Sequence, residues 1–164
     1  MVEYMKPTVV KRATPAAIAV LRQATALFPK RNKASDGLLP SAAHLKASPN
    51  SDHNTGLAVD LTHDPKNGID CDVIFDELKK DERVAYLIFK GKIWSRERKA
   101  EGERTYTGSN SHNKHLHISI RSSHSNDTSN WFGFIDKQAT IVSKAKAAVS
   151  KKPKKQDIPS PKEA

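Results

Sequence analysis

The six residues HLHISI, His115 to Ile120, alternate without a break between apolar side chains and side chains that can bond. A strand sends successive side chains to opposite faces. Leu116, Ile118 and Ile120 therefore form one apolar face, and His115, His117 and Ser119 share the other. The apolar face has to be buried, so this segment predicts a strand in a sheet packed on one side. Two imidazoles then stand together over the opposite side. His112, just upstream, brings three of the chain's seven histidines within six residues.

GLAVDLTHD, from Gly56, repeats the pattern: Leu57, Val59 and Leu61 share one face, and Ala58, Asp60 and Thr62 the other. VAYLIFKGKIWS reads as two strands joined at Lys90-Gly91, a β-hairpin. Helical spacing appears in ATPAAIAVLRQATALFPKR. Thr14 caps it, Pro15 suits its first position, Pro29 ends it, and Ile18, Leu21, Ala24 or Thr25, and Phe28 make its apolar face. IDCDVIFDELKKDE is a short amphipathic helix. The segments from Asn32 to Asn54 and from Arg96 to Ser111 read as loops, and Trp131, Phe132 and Phe134 as the closure of the core. The fold class expected is α+β: a small antiparallel sheet flanked by helices, with a basic C-terminal tail. The expected domains are 1–135, carrying the chemistry, and 136–164, a basic helix followed by a tail of disordered composition.

The net charge is +10 over 164 residues. From Lys144 onward there are seven Lys against Asp157 and Glu163, so the tail contributes 7 − 2 = +5, half of the total. Such a charge favours anionic partners such as nucleic acid, lipid headgroups or cell-wall polymer, without choosing among them. No stretch approaches the ~20 apolar residues of a membrane span. The N-terminus lacks the continuous apolar run of a secretory signal. A single cysteine, Cys71, excludes an internal disulfide and a thiolate metal cluster, and reads as a small buried hydrophobe.

Asp60 projects from an otherwise apolar strand, where an unpaired carboxylate is costly. His53 lies just before it in SDHNTGLAVD. His53, Asp60 and one of the later histidines would offer two nitrogens and one oxygen to a tetrahedral Zn²⁺. Three protein ligands and an open position are the catalytic rather than the structural pattern.

SDHNTGLAVD fits SxHxxGxAxD, and HLHISI supplies an HxH. With KASDGLLPSAAH, LTHDPKNGID, YLIFKGKIWS and YTGSNSHNKHLHIS, this ordered set resembles the zinc peptidases of the lysostaphin/D-alanyl-D-alanine peptidase superfamily, in its D-alanyl-D-alanine carboxypeptidase-like branch. The resemblance covers roughly Arg31 to Arg121. It implies one Zn²⁺ per chain on His53, Asp60 and His117, with His115 as a catalytic group outside the ligand set. Many such carboxypeptidases carry an acid three residues before the last ligand. Here that position is Lys114, and alternation turns it away from His115. The spacing HxxHxH instead resembles a penicillin-insensitive murein endopeptidase of the same superfamily. That likeness makes His115 the first candidate for base or transition-state stabiliser and His112 the second.

Arg31, through its fork of donors, and Ser51 are candidates for substrate contact. Asp64 is a candidate for orienting a ligand histidine, and His44 for lining the cleft. The function implied is hydrolysis of peptidoglycan stem peptides, by a carboxypeptidase or endopeptidase, with no obligate nucleic acid and no transmembrane segment. A chain made in the cytoplasm without a signal would act on the wall after lysis or delivery. It would be a phage endolysin or a virion or injection-system hydrolase, with the tail a candidate contact for a structural partner. The competing class is a basic nucleic-acid-binding or scaffold protein with a non-catalytic metal site. Against it, the lysine-rich run lies outside the motif region, and aromatics are not interleaved with basic residues as a stacking platform requires.

Overall fold

A computed structural model describes residues 10–135. The helix and tail expected from 136 onward lie outside the described residues. The chain divides into two compact units, Met1–Trp131 and Phe132–Ala164. Of the second, only a short turn is described: the Ile135 N–H donates to the Phe132 carbonyl, and the Phe132 and Phe134 rings meet edge-on.

The first unit is α+β. Five antiparallel strands, β1 (Ala58–Thr62), β2 (Val84–Phe89), β3 (Lys92–Ser95), β4 (Arg104–Thr105) and β5 (His115–Ile120), lie in the order β1-β5-β2-β3-β4. Lys90 and Gly91, both at positive φ, make the two-residue turn between β2 and β3. The segment read as a charged loop contributes β4, a two-residue edge strand.

Directly opposed residues of antiparallel strands share a face. Val59, Ile118, Leu87 and Trp94 face one another across four strands, and Leu61 faces Leu116 beside them. All six are buried, and this is the core. On the other face, Asp60 opposes His117, Thr62 opposes His115, and Tyr86 opposes Ser119.

The α-helices among the described residues are α1 (Pro15–Leu27), α2 (Ala42–Ala47) and α3 (Cys71–Leu78), and α1 and α3 pack on the sheet. Thr14 caps α1 by accepting from the Ala17 N–H, with Pro15 in the first turn. Its buried residues are Ala16, Ala17, Ala19, Val20 and Ala24; of the expected face only Ala24 is fully buried, while Ile18, Leu21 and Phe28 are half-buried. Small side chains let α1 lie close against β1. The segment from Asn32 to Asn54 is also not all loop. It holds α2, capped by Ser41. Asp70 caps α3, and Cys71 is buried, its thiol pushed up by burial. Trp131 is buried beneath the Arg83 guanidinium, 3.6 Å from the ring centroid. No helix among the described residues is long and apolar enough to cross a membrane.

Candidate metal centre

His53 is aimed by local chemistry. Ser51 caps a single 3₁₀ turn, Asp52–Thr55, its hydroxyl accepting from the His53 N–H at 3.3 Å. Asn54 ties the turn to the preceding segment, its amide donating to the Ser48 and Pro49 carbonyls. Gly56 closes it at φ 74°, and a Cβ there would press on Arg12 and Ala13 at 3.1 Å. Both facts favour glycine. The turn buries the imidazole of His53, and its Nδ1–H donates to the Leu38 carbonyl at 2.9 Å. That bond fixes the tautomer and leaves the Nε2 lone pair toward Asp60.

Asp60 and His117 meet because β1 and β5 place them opposite each other. Asp60 Oδ1 lies 3.2 Å from both His53 Nε2 and His117 Nδ1. The second nitrogen of His117 lies 2.9 Å from Ser119 Oγ. With that Nε2–H donating to Ser119, Nδ1 is free to ligate. One donor atom from each of His53, Asp60 and His117 lies within 4.8 Å of the others. The set has the donor chemistry of a three-ligand zinc site, with each histidine held by its other nitrogen.

His115 stands beside this set, its Nε2 3.6 Å from Asp60 Oδ2. The His112 ring is 5.0 Å from that of His115 and 5.6 Å from that of His117. His112 adopts φ 57°, and its Nδ1 is buried without a hydrogen-bond partner. Tyr86 stacks on His117, and Tyr106 meets His112 edge-on. Together with His44 and Ser51, these residues line a cleft of about 340 Å³.

Burial pushes the Asp60 carboxyl upward, but N–H donation from His117 and His53, open to each ring when it is charged, outweighs it and holds Asp60 well below the usual carboxylate range. Burial also disfavours charge on His53, yet the Asp60 carboxylate and the Leu38 carbonyl raise it. Burial and the neighbouring His117 and His115 lower His112 to about 4. His115 is lowered too, by burial, against a raising pull from Asp60. Burial raises the Tyr86 hydroxyl to about 12.

The structure thus brings together His53, Asp60, His112, His115, His117 and Ser51, and places His44 on the same cleft. Three other residues lie elsewhere. Arg31 is buried, and both arms of its fork are engaged by Asp36, at 3.0 and 2.7 Å. It offers no open donor pair to a substrate carboxylate. Asp64 accepts from the Asn32 backbone N–H and the Asn67 side chain at 2.8 Å, while the histidine-orienting roles belong to Leu38 and Ser119. Lys114 is exposed. Tyr86 and Tyr106 are cleft residues that sequence reasoning missed. The signal for Tyr86 was present, since an aromatic hydroxyl in VAYLIF wants a polar partner when buried.

Comparison with curated proteins and with solved structures gives no match. Residues 10–117 match the family model described as VldE, C-terminal domain. The match covers more than half of the chain and runs from the segment before α1 to His117, so it takes in His53, Asp60 and His117, the group that could hold a metal ion. This chain belongs to the VldE C-terminal domain family.

Proposed function

We propose that this domain is a zinc-dependent peptidase that hydrolyses peptide bonds in peptidoglycan stem peptides. The observation that carries the reading is the carboxylate oxygen of Asp60 set 3.2 Å from a nitrogen of each of two histidines, at the floor of a cleft whose wall holds three more. The resemblance of the ordered motifs to cell-wall zinc peptidases supplies the substrate class. The basic balance of the chain suits an anionic wall. On this reading the enzyme reaches the wall after lysis or by delivery, as an endolysin or as a virion or injection-system hydrolase.

His53, Asp60 and His117 would hold the metal. When bound, zinc supplies Lewis acidity, polarising a carbonyl and making water acidic enough to attack at neutral pH. The chain's own groups handle the protons. His115, neutral at pH 7, accepts a proton from the attacking water and passes it to the leaving amine. His112 is also neutral and lines the same cleft, so its ring N–H can hydrogen-bond the tetrahedral oxygen. The Tyr86 ring, stacked on His117, limits that imidazole's freedom to turn.

The test is a digest of purified sacculi, with and without chelator, read by mass spectrometry of the released muropeptides. Cleavage within stem peptides that chelator abolishes and zinc restores is expected. Intact sacculi, or cleavage indifferent to chelator, would overturn the reading. Tight, metal-independent binding to duplex or single-stranded DNA without hydrolysis would favour the nucleic-acid-binding alternative.

A further inference from the structure

The segment Asp36–Gly37–Leu38 touches two of the three candidate ligands, and neither contact uses a side chain of the segment. Leu38 offers its carbonyl to His53 Nδ1 at 2.9 Å. Gly37 pairs with Asp60 in both directions: its N–H donates to the Asp60 carbonyl at 3.1 Å, and its carbonyl accepts from the Asp60 N–H at 2.8 Å. Gly37 thus forms an isolated antiparallel bridge with Asp60, on the side of β1 away from β5. A Cβ at residue 37 would stand 3.2 Å from Asp60 Oδ2, a tight contact that would push on the candidate ligand itself.

Backbone bonds position a ligand only if the segment that makes them is itself held. Asp36 is the anchor. Its Oδ1 accepts from the Thr62 N–H at 3.1 Å and from the Thr62 hydroxyl at 2.7 Å, two residues along β1 from Asp60. Thr62 Oγ1 in turn accepts from the Ser35 N–H at 3.0 Å. The Arg31 guanidinium closes the arrangement with its paired bonds to Asp36 and a further bond from Nε to Thr25 Oγ1 of α1 at 3.2 Å. Arg31 is 5% exposed, so the pair is shielded from water and removing either partner leaves a buried charge uncompensated.

We infer that Arg31, Asp36 and Thr62 are positioning residues for the metal centre, acting through the backbone of Gly37 and Leu38 to fix the tautomer of His53 and the placement of Asp60. The inference rests on the reading of His53, Asp60 and His117 as metal ligands. It assigns Arg31 to the scaffold of the site, where the sequence had suggested substrate.

The variants Asp36→Asn and Thr62→Val test it, the second being the milder and keeping the volume of the buried side chain. Two readouts apply to the full chain. One is zinc affinity by chelator competition. The other is ¹⁵N NMR of the His53 imidazole in the metal-free protein, at a pH where the imidazoles are neutral. Both variants are expected to lose about 10- to 100-fold in zinc affinity, the usual scale for a group that orients a ligand. Both should shift His53 from the Nδ1–H form toward a mixture of tautomers. If Asp36→Asn does not fold, Thr62→Val alone decides. A folded Thr62→Val that binds zinc as wild type does and keeps the Nδ1–H form overturns the inference while leaving the metal centre intact. A wild-type chain that binds no zinc overturns the metal reading, and the inference with it.

Discussion

Strand β5 makes a prediction that separates the core from the site within two adjacent residues. Ile118 and Ser119 are both fully buried, but on opposite faces. Ile118 lies between Val59 of β1 and Leu87 of β2. Ile118→Ala removes about three carbons, and about 0.8 kcal/mol for each gives roughly 2.4 kcal/mol of lost transfer free energy. β5 is paired along both edges, so it cannot move in to fill the space, and a cavity contribution brings the loss to about 3–4 kcal/mol. For a chain of this length that corresponds to a fall in Tm of roughly 10 °C. Zinc affinity should stay within a few-fold, since no atom removed faces the metal ligands. Ser119→Ala should do the reverse. Its hydroxyl holds His117 Nε2 and also bonds the Tyr86 hydroxyl. Loss of that partner destabilises the metal-free fold by only about 1–2 kcal/mol, while zinc affinity falls about 10- to 100-fold. Urea titrations of the chelated protein, paired with zinc competition, read both effects. Loss of zinc from folded Ile118→Ala, or wild-type affinity in Ser119→Ala, would refute the assignment of the two faces.

Two more predictions follow from the histidines. His115→Ala should retain one zinc per chain while turnover falls on the order of 10²-fold or more. Loss of zinc from that variant, with His117→Ala still binding it, would exchange the roles of the two strand histidines. In chelated protein, stability should fall as pH drops from about 6.5 toward 4, because the fold holds His112 near 4 while the unfolded chain takes up the proton at its ordinary value of 6.5. His115, also depressed, adds to the fall in the same sense. His53 opposes it, since a raised pKa contributes stability at low pH that is lost as pH rises through the folded value. His112→Asn, which tolerates the positive φ of that position, should flatten the slope of urea midpoint against pH. Equal slopes in the two proteins would refute it.

What could be read ahead of the structure was local or periodic. Thr14-Pro15 announced a helix start, Lys90-Gly91 a turn, and the alternation in AVDLT and HLHISI two strands with one polar face each. What could not be read was partnership between separated segments. Nothing in the order of residues says that Asp36 takes up the fork of Arg31, because Asp64 is as plausible a partner until the loop is folded. The buried row of α1 was misjudged for a related reason. Hydrophobicity favours Ile18 and Leu21, but the distance to β1 is set by what fits, and alanines fit.

The register of β1 on β5 ties these facts to the chemistry. Asp60 opposes His117 only in the pairing that also sets Val59 against Ile118 and Leu61 against Leu116. A slip of one residue would turn the histidines of β5 toward the core and carry Leu116 and Ile118 to the cleft. A slip of two would keep the faces but oppose Asp60 to His115 or Ser119 in place of His117. The apolar row penalises the first error strongly and the second hardly at all, since Leu116, Ile118 and Ile120 are near-equivalents in volume. Discrimination against the second must come from elsewhere. β2 supplies it, because Leu87 and Ile88 fix β5 from its other edge. On the far side of β1, Gly37 contributes as well, holding Asp60 by two backbone hydrogen bonds. The candidate metal centre is therefore held from both flanks of the β1-β5 pair, and its ligands come from elements whose alignment neither strand could set alone.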